Sequence, residues 1–179
     1  MTYYERALPH WQPEGAAIFL TWRLHGSRPK EYFESHRDPN PAREFVRQDR
    51  ILDKTPLGPT WLKDDRVAAC MAAALHHADA VLGLYDLRAW VIMSNHVHLF
   101  VDPHVQLERI NRSVRSYTAR EANRILQRTG AFWQHESYDH WSRDLRQSER
   151  IIAYIEENPV SAGLVQRPED YRWSSAFGV

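Results

Sequence analysis

The feature that most constrains the fold is the run Trp90-Val91-Ile92-Met93-Ser94-Asn95-His96-Val97-His98-Leu99-Phe100-Val101. Its β-branched and aromatic content asks for buried strand, and Ser94-Asn95 interrupts it with a pair suited to a tight turn. The expected structure is a hairpin, Tyr85 to Met93 against His96 to Val101, with Pro103 ending the second strand. Residues i and i+2 of a strand share a face. His96 and His98 therefore project side by side from a sheet, while Val97 turns the other way. Two neutral imidazole nitrogens on so rigid a support suit a divalent cation. Taken alone, the same pair could equally be sheet histidines satisfied by their neighbours.

The rest of the chain must say which. At 179 residues, 43% of them hydrophobic and 12% aromatic, it is expected to form one domain over 1–179 with an ample core. No apolar stretch approaches membrane-spanning length, and Met1-Thr2-Tyr3-Tyr4-Glu5-Arg6 lacks the apolar core of a secretory signal. A single cysteine, Cys70, excludes an internal disulfide and is read as a small core residue. The expected location is cytoplasmic, in association with the nucleoid, with no membrane partner. Net charge is zero, but between Leu107 and Gln127 five arginines (Arg109, Arg112, Arg115, Arg120, Arg124) face only Glu108 and Glu121. That is a local basic helix in a balanced protein.

Gly15 to Leu24 reads as a first strand. The polar stretch at about 26–62, with Pro29, Pro39, Pro41, Pro56 and Pro59, reads as a surface excursion, with substrate contact as the second reading, and holds a short helix over Ala42 to Leu52. Asp64 or Asp65 can cap a helix from about Arg66 to Val81. A long helix is expected over Val105 to Arg128, closed by Gly130, and an irregular aromatic segment over Phe132 to Ser142. Gln147 to Glu157 should form a last amphipathic helix that stops at Asn158-Pro159, because proline disfavours a helical residue before it. Strand, helix, hairpin and further helices predict an α+β sandwich with one antiparallel sheet.

Tyr154 and Asn158 are four residues apart, on one face of that last helix. An asparagine oxygen is a hard, neutral ligand for Mg²⁺ or Mn²⁺, and would complete a His96, His98, Asn158 set with positions left open. A tyrosine phenol can form a phosphodiester with a nucleic-acid backbone, given a cation to polarise the phosphate. Each residue also has a plainer reading: Tyr154 as a half-buried core residue, Asn158 as a helix terminator. Tyr117, with Glu121 four residues on, mimics the same spacing on the basic helix.

Many ordered segments together resemble one family, the REP-associated tyrosine transposases, a bacterial branch of the single-tyrosine HUH endonucleases in the IS200-like superfamily. They are Leu8-Pro9-His10-Trp11, Gly58-Pro59-Thr60-Trp61-Leu62, the run Trp90 to His98, Phe132-Trp133-Gln134, Tyr138-Asp139-His140 and Arg143-Asp144. They continue with Tyr154-Ile155, Asn158-Pro159-Val160, Ala162-Gly163-Leu164-Val165 and Pro168-Glu169-Asp170-Tyr171-Arg172-Trp173-Ser174-Ser175. The resemblance implies a ferredoxin-like sheet carrying the HUH motif with helices packed on it. It implies His96, His98 and Asn158 as ligands of Mg²⁺ or Mn²⁺, and Tyr154 as the nucleophile in preference to Tyr117. The implied partner is single-stranded or hairpin DNA of the REP palindrome type, nicked and rejoined through a 5′-phosphotyrosine. A monomer is expected, with a dimer as the other arrangement. The zero net charge departs from the basic lean of a DNA enzyme.

Arg112, Ser116, Arg120 and Arg124 recur at helical spacing, and the arginines are read either as a DNA-phosphate stripe or as a solvated face paired with Glu108 and Glu121. His140 is read either as a phosphate contact or as a structural hydrogen-bond partner of Asp144 or a carbonyl. Trp11, Trp133 and Trp141 are candidates for base stacking or for the core. The alternative to a DNA-cleaving enzyme is a domesticated protein that binds hairpins without cutting them. A histidine-triad nucleotide hydrolase fits poorly, since Phe100 and Asp102 follow where further alternating histidines are needed.

Overall fold

The computed structural model describes residues 15–27, 47, 49, 52, 58–135 and 137–178. Strand β1 is Ile18–Arg23, and a 3₁₀ turn at Trp61–Lys63 leads into helix α1, Asp65–Ala80. The hairpin follows as β2, Tyr85–Ile92, and β3, His96–Pro103, turning through Ser94-Asn95 with Met93 N–H donating to the His96 carbonyl at 2.9 Å. Helix α2 (Leu107–Ile110), a π turn (Asn111–Arg115) and α3 (Ser116–Ile125) run on as one rod. Strand β4, Tyr138–Trp141, and helix α4, Leu145–Ser161, complete the frame.

The sheet is antiparallel throughout, in the order β2-β3-β1-β4. With α1 between β1 and β2, and the α2–α3 rod between β3 and β4, this is the ferredoxin-like arrangement. The two central strands are buried along most of their length, and alternation divides their side chains between two layers. Ile18, Leu20, Trp22, Val97, Leu99 and Val101 pack with Val67, Met71 and Leu75 of α1, Ala122 of α3 and Val114 of the π turn. Phe19 and Phe100 face the other way, toward Ile155, Ile151, Ile152 and Tyr154 of α4. A bulge at Arg88 shifts the register between Leu87 and Ala89. It exchanges the faces, so that Tyr85 and Leu87 join the first layer while Ala89 and Val91 join the second.

Three expectations need correction. Phe132 to Ser142 is not wholly irregular: Tyr138–Trp141 pairs with β1, which otherwise would expose an open edge. Helix α4 does not stop at Asn158-Pro159 but continues to Ser161 with Pro159 inside it. Proline removes one ladder donor near the helix end, yet Asn158 and Pro159 are both buried, and the Asn158 carbonyl still accepts from Ala162 N–H at 2.9 Å. Packing therefore holds Asn158 helical, one turn beyond Tyr154. Cys70 is half-buried rather than a core residue. Of the two possible caps for α1, Asp64 is used, accepting from Arg66 N–H at 2.9 Å.

The polar excursion leaves and returns at one point. Gly58 has φ +88°, and a Cβ there would lie 2.3 Å from the Gly26 carbonyl oxygen. Of the helix expected over Ala42 to Leu52, Arg47, Asp49 and Leu52 are described and are helical, and the remainder lies outside the described residues.

Candidate metal centre and tyrosine

On the layer facing α4, β3 presents His96 and His98, and β1 presents Arg23 and Thr21 opposite them in register. Both histidines are fully buried, with ring centroids 4.6 Å apart. Phe19 stacks on His98 at 5.3 Å and meets Tyr154 edge-on at 6.1 Å, so one aromatic ring sets the spacing of sheet and helix. Tyr154 and His98 are 5.8 Å apart between centroids. The sequence-derived trio of His96, His98 and Asn158 thus converges with Tyr154.

The residue that joins them is Asp49, which sequence reasoning missed. It comes from the excursion read as surface, and it is completely buried. Its Oδ2 accepts the Tyr154 hydroxyl, accepts Asn158 Nδ2 at 3.4 Å and lies 2.8 Å from His98 Nε2. Its Oδ1 is 3.8 Å from His96 Nε2 and 3.9 Å from the Arg23 guanidinium. Burial alone would raise the Asp49 pKa, but the neighbouring imidazoles, the His98 hydrogen bond and Arg23 outweigh it and hold the carboxyl below its usual range. The group is an anion. The His96 pKa is lowered too, but here burial is the dominant cause: it pushes the group down to about 3, against the pull of Asp49, so its ring is neutral.

The hydrogen-bond pattern fixes one tautomer further. Asn95 Nδ2 donates to the Leu52 carbonyl at 3.3 Å, which turns Asn95 Oδ1 toward His96 Nδ1 at 2.7 Å. An amide oxygen only accepts, so Nδ1 of His96 carries the proton and Nε2 presents a lone pair to the cluster. His98 is less committed. Its Nδ1 lies 2.8 Å from the Thr21 hydroxyl, which can donate or accept, while Nε2 donates to Asp49. In the other tautomer, with the proton on Nδ1 and the Thr21 hydroxyl turned to accept it, Nε2 would offer a lone pair to the cluster.

A cation is the chemistry this donor set asks for. Asp49 Oδ1 and Asn158 Oδ1 are buried and accept no hydrogen bond among the described residues. Buried acceptors without donors are costly. Ligand atoms of Asp49, His96 and His98 lie within 4.8 Å of one another. Nitrogen and oxygen donors of mixed hardness suit a divalent ion.

Of the other sequence candidates, the arginines and Tyr117 belong to the opposite layer, whereas His140 shares the layer that faces α4. Arg112, Arg120 and Arg124 are exposed on the rod that packs against the opposite layer, and Arg120 and Arg124 both pair with Glu121, at 3.4 and 2.9 Å. Tyr117 is on the same rod, 46% exposed, with the Arg120 guanidinium over its ring. His140 is half-buried on β4, opposite Phe19, and its Nε2 bonds Gln147 at 2.7 Å rather than Asp144 or a carbonyl. Trp133 is buried and donates to Thr118, whereas Trp141 is partly exposed. Trp11 lies outside the described residues.

A ferredoxin-like sheet with paired inward histidines, faced by a helix bearing a tyrosine and an asparagine, defines a class of buried polar site whose donors could hold a metal ion. The family comparison gives that class a name. Residues 67–158, just over half of the chain, match the model of the family described as "Transposase IS200 like", and the chain belongs to that family. No curated protein sequence matches it. Among solved structures it is similar to a REP-associated tyrosine transposase bound to a REP hairpin, with TM-score 0.60 and 17% identity, over 98% of this chain and 82% of the other. It also matches a putative transposase from Deinococcus radiodurans, with TM-score 0.44 and 13% identity, over 88% of this chain and 98% of that one. The first of these likenesses supports the fold. No described helix is long and apolar enough to cross a membrane.

Proposed function

We propose that this IS200-like transposase nicks and rejoins single-stranded or hairpin DNA, with Tyr154 as the nucleophile and His96, His98, Asn158 and Asp49 as the residues that would hold a divalent cation, Mg²⁺ or Mn²⁺. The observation that carries the reading is the meeting of the Tyr154 hydroxyl, both imidazoles and the Asn158 amide around one buried carboxylate. When bound, the cation supplies polarisation of the scissile phosphate and stabilisation of its developing charge.

The side chains do the rest. Phe19 and Ile155 hold the helix and its phenol at a fixed height above the sheet. The phenol loses its proton as its oxygen bonds to phosphorus. The P–O3′ bond breaks, and the departing 3′ oxygen takes a proton. The products are a 5′-phosphotyrosine and a free 3′-hydroxyl, which can attack the same linkage to restore the strand. The guanidinium of Arg23 stands close enough to Asp49 to add positive potential where a phosphate would enter.

The hairpin as substrate is supported by the REP hairpin held by the structurally similar transposase. Arg112, Arg120 and Arg124 would then touch the backbone of a longer duplex from the far layer, with His140 beside the sheet edge; the acting unit would be a monomer. Incubating the protein with a labelled REP-type hairpin and Mn²⁺ should give a slow band on a denaturing gel. Tyr154→Phe should abolish that band while native-gel binding persists, and Tyr117→Phe should leave it unchanged. Retardation on native gels with no covalent band in the wild type would instead select the domesticated hairpin-binding alternative.

A further inference from the structure

Asp49 touches the nucleophile as well as the imidazoles, and it is attached to the sheet through a second contact one helical turn away. Leu52 follows Asp49 by three residues, so the two lie on one side of a turn. The Leu52 carbonyl accepts Asn95 Nδ2 at 3.3 Å, and Asn95 Oδ1 in turn fixes the proton on His96 Nδ1. Three residues earlier, on the same side of the turn, the Asp49 carboxylate accepts the Tyr154 hydroxyl and the Asn158 amide. Both Asp49 and Leu52 are buried, at 0% and 1% exposure. One short stretch of chain therefore fixes the His96 ring on one side and the phenol on the other.

We propose that Asp49 is a positioning residue for strand cleavage: its carboxylate aims the Tyr154 hydroxyl at the histidine centre, so that the phenol is in line before DNA arrives. The proposal rests on the reading of Tyr154 as nucleophile and adds to it a role that ligation alone does not require. Without Asp49 the ring keeps its packing against Phe19, but that edge contact leaves rotation of the hydroxyl and small tilts of the ring open. A misplacement of about 1 Å can cost on the order of 10²-fold in rate.

The test compares Asp49→Ala and Asp49→Asn, the latter retaining shape and an accepting oxygen. Single-turnover formation of the covalent adduct with a REP-type hairpin is measured across a Mn²⁺ titration. Asp49→Ala should lower the maximal rate at saturating Mn²⁺ by roughly 10²-fold, and Asp49→Asn should recover most of it. Hairpin affinity should be as in the wild type for both. A readout without metal or DNA is the ¹³Cζ resonance of Tyr154 in tyrosine-labelled protein, assigned as the signal missing from Tyr154→Phe. It should move in Asp49→Ala, because the phenol loses its acceptor. An unmoved resonance overturns the proposal, as does a wild-type maximal rate in Asp49→Ala. So does a defect cured entirely by excess Mn²⁺, which would make Asp49 a ligand only. Those results leave Tyr154 as nucleophile intact. Absence of any adduct in the wild type, by contrast, overturns the reading of Tyr154 itself and the role of Asp49 with it.

Discussion

Successive residues of β3 serve two different layers. Val97, Leu99 and Val101 face α1 and the α2–α3 rod, where they join a large apolar cluster and the gain is burial. His96 and His98 face α4, where a buried carboxylate, an arginine, a threonine and an asparagine replace the expected aliphatic partners. A sheet face this polar is costly to bury, and the cost persists only where the groups are satisfied by one another or by a ligand. The comparison separates stability from chemistry along a single strand. It also places Tyr154 and Tyr117 on different layers.

Experiments can try to break that separation. The largest effect is expected from His96→Ala, which removes a fixed lone pair: Mn²⁺ affinity, followed by electron paramagnetic resonance, should fall by on the order of 10²-fold or more, and the adduct should disappear. Retained Mn²⁺ binding would show that the polar layer is not a metal centre. Next comes Leu99→Ala on the apolar layer. It should cost about 2–5 kcal/mol by denaturant unfolding while leaving adduct formation per folded molecule unchanged, and a selective loss of chemistry would mean that the layers are coupled.

A smaller effect is expected where the excursion closes. Gly58→Ala puts a side chain at φ +88° against the Gly26 backbone, so it should destabilise by more than about 1 kcal/mol. Because the same closure delivers Asp49, it should also slow the adduct. The smallest effect belongs to the arginines of the far layer. Replacing Arg112 with Ala should leave cleavage of a minimal hairpin intact and reduce the salt slope of binding to a long duplex by about 1. An unchanged slope would assign that face to solvent.

Local rules made much of the fold legible. The hairpin and its turn, helix α1 with its aspartate cap, and the long rod follow from periodicity and capping residues. The bulge at Arg88 left no comparable mark, since one inserted residue is indistinguishable from the end of a strand. Strand β4 escaped because Tyr138–Trp141 has no apolar alternation of its own and is ordered by the unpaired edge of β1. The extension of α4 through Pro159 escaped for a related reason: the local preference against a helical residue before proline is real, and burial of Asn158 overrides it.

The sequence by itself determined that two imidazoles share a strand face and that a phenol and an amide share a helix face, because both follow from the repeat of one backbone element. Only the tertiary structure decided that those faces meet, and that Asp49 stands between them. Its partners His98, Tyr154 and Asn158 are 49, 105 and 109 residues away, and no periodicity spans such a distance. A lone aspartate in a polar, proline-rich stretch looks solvated until the packing of sheet and helix removes the water around it.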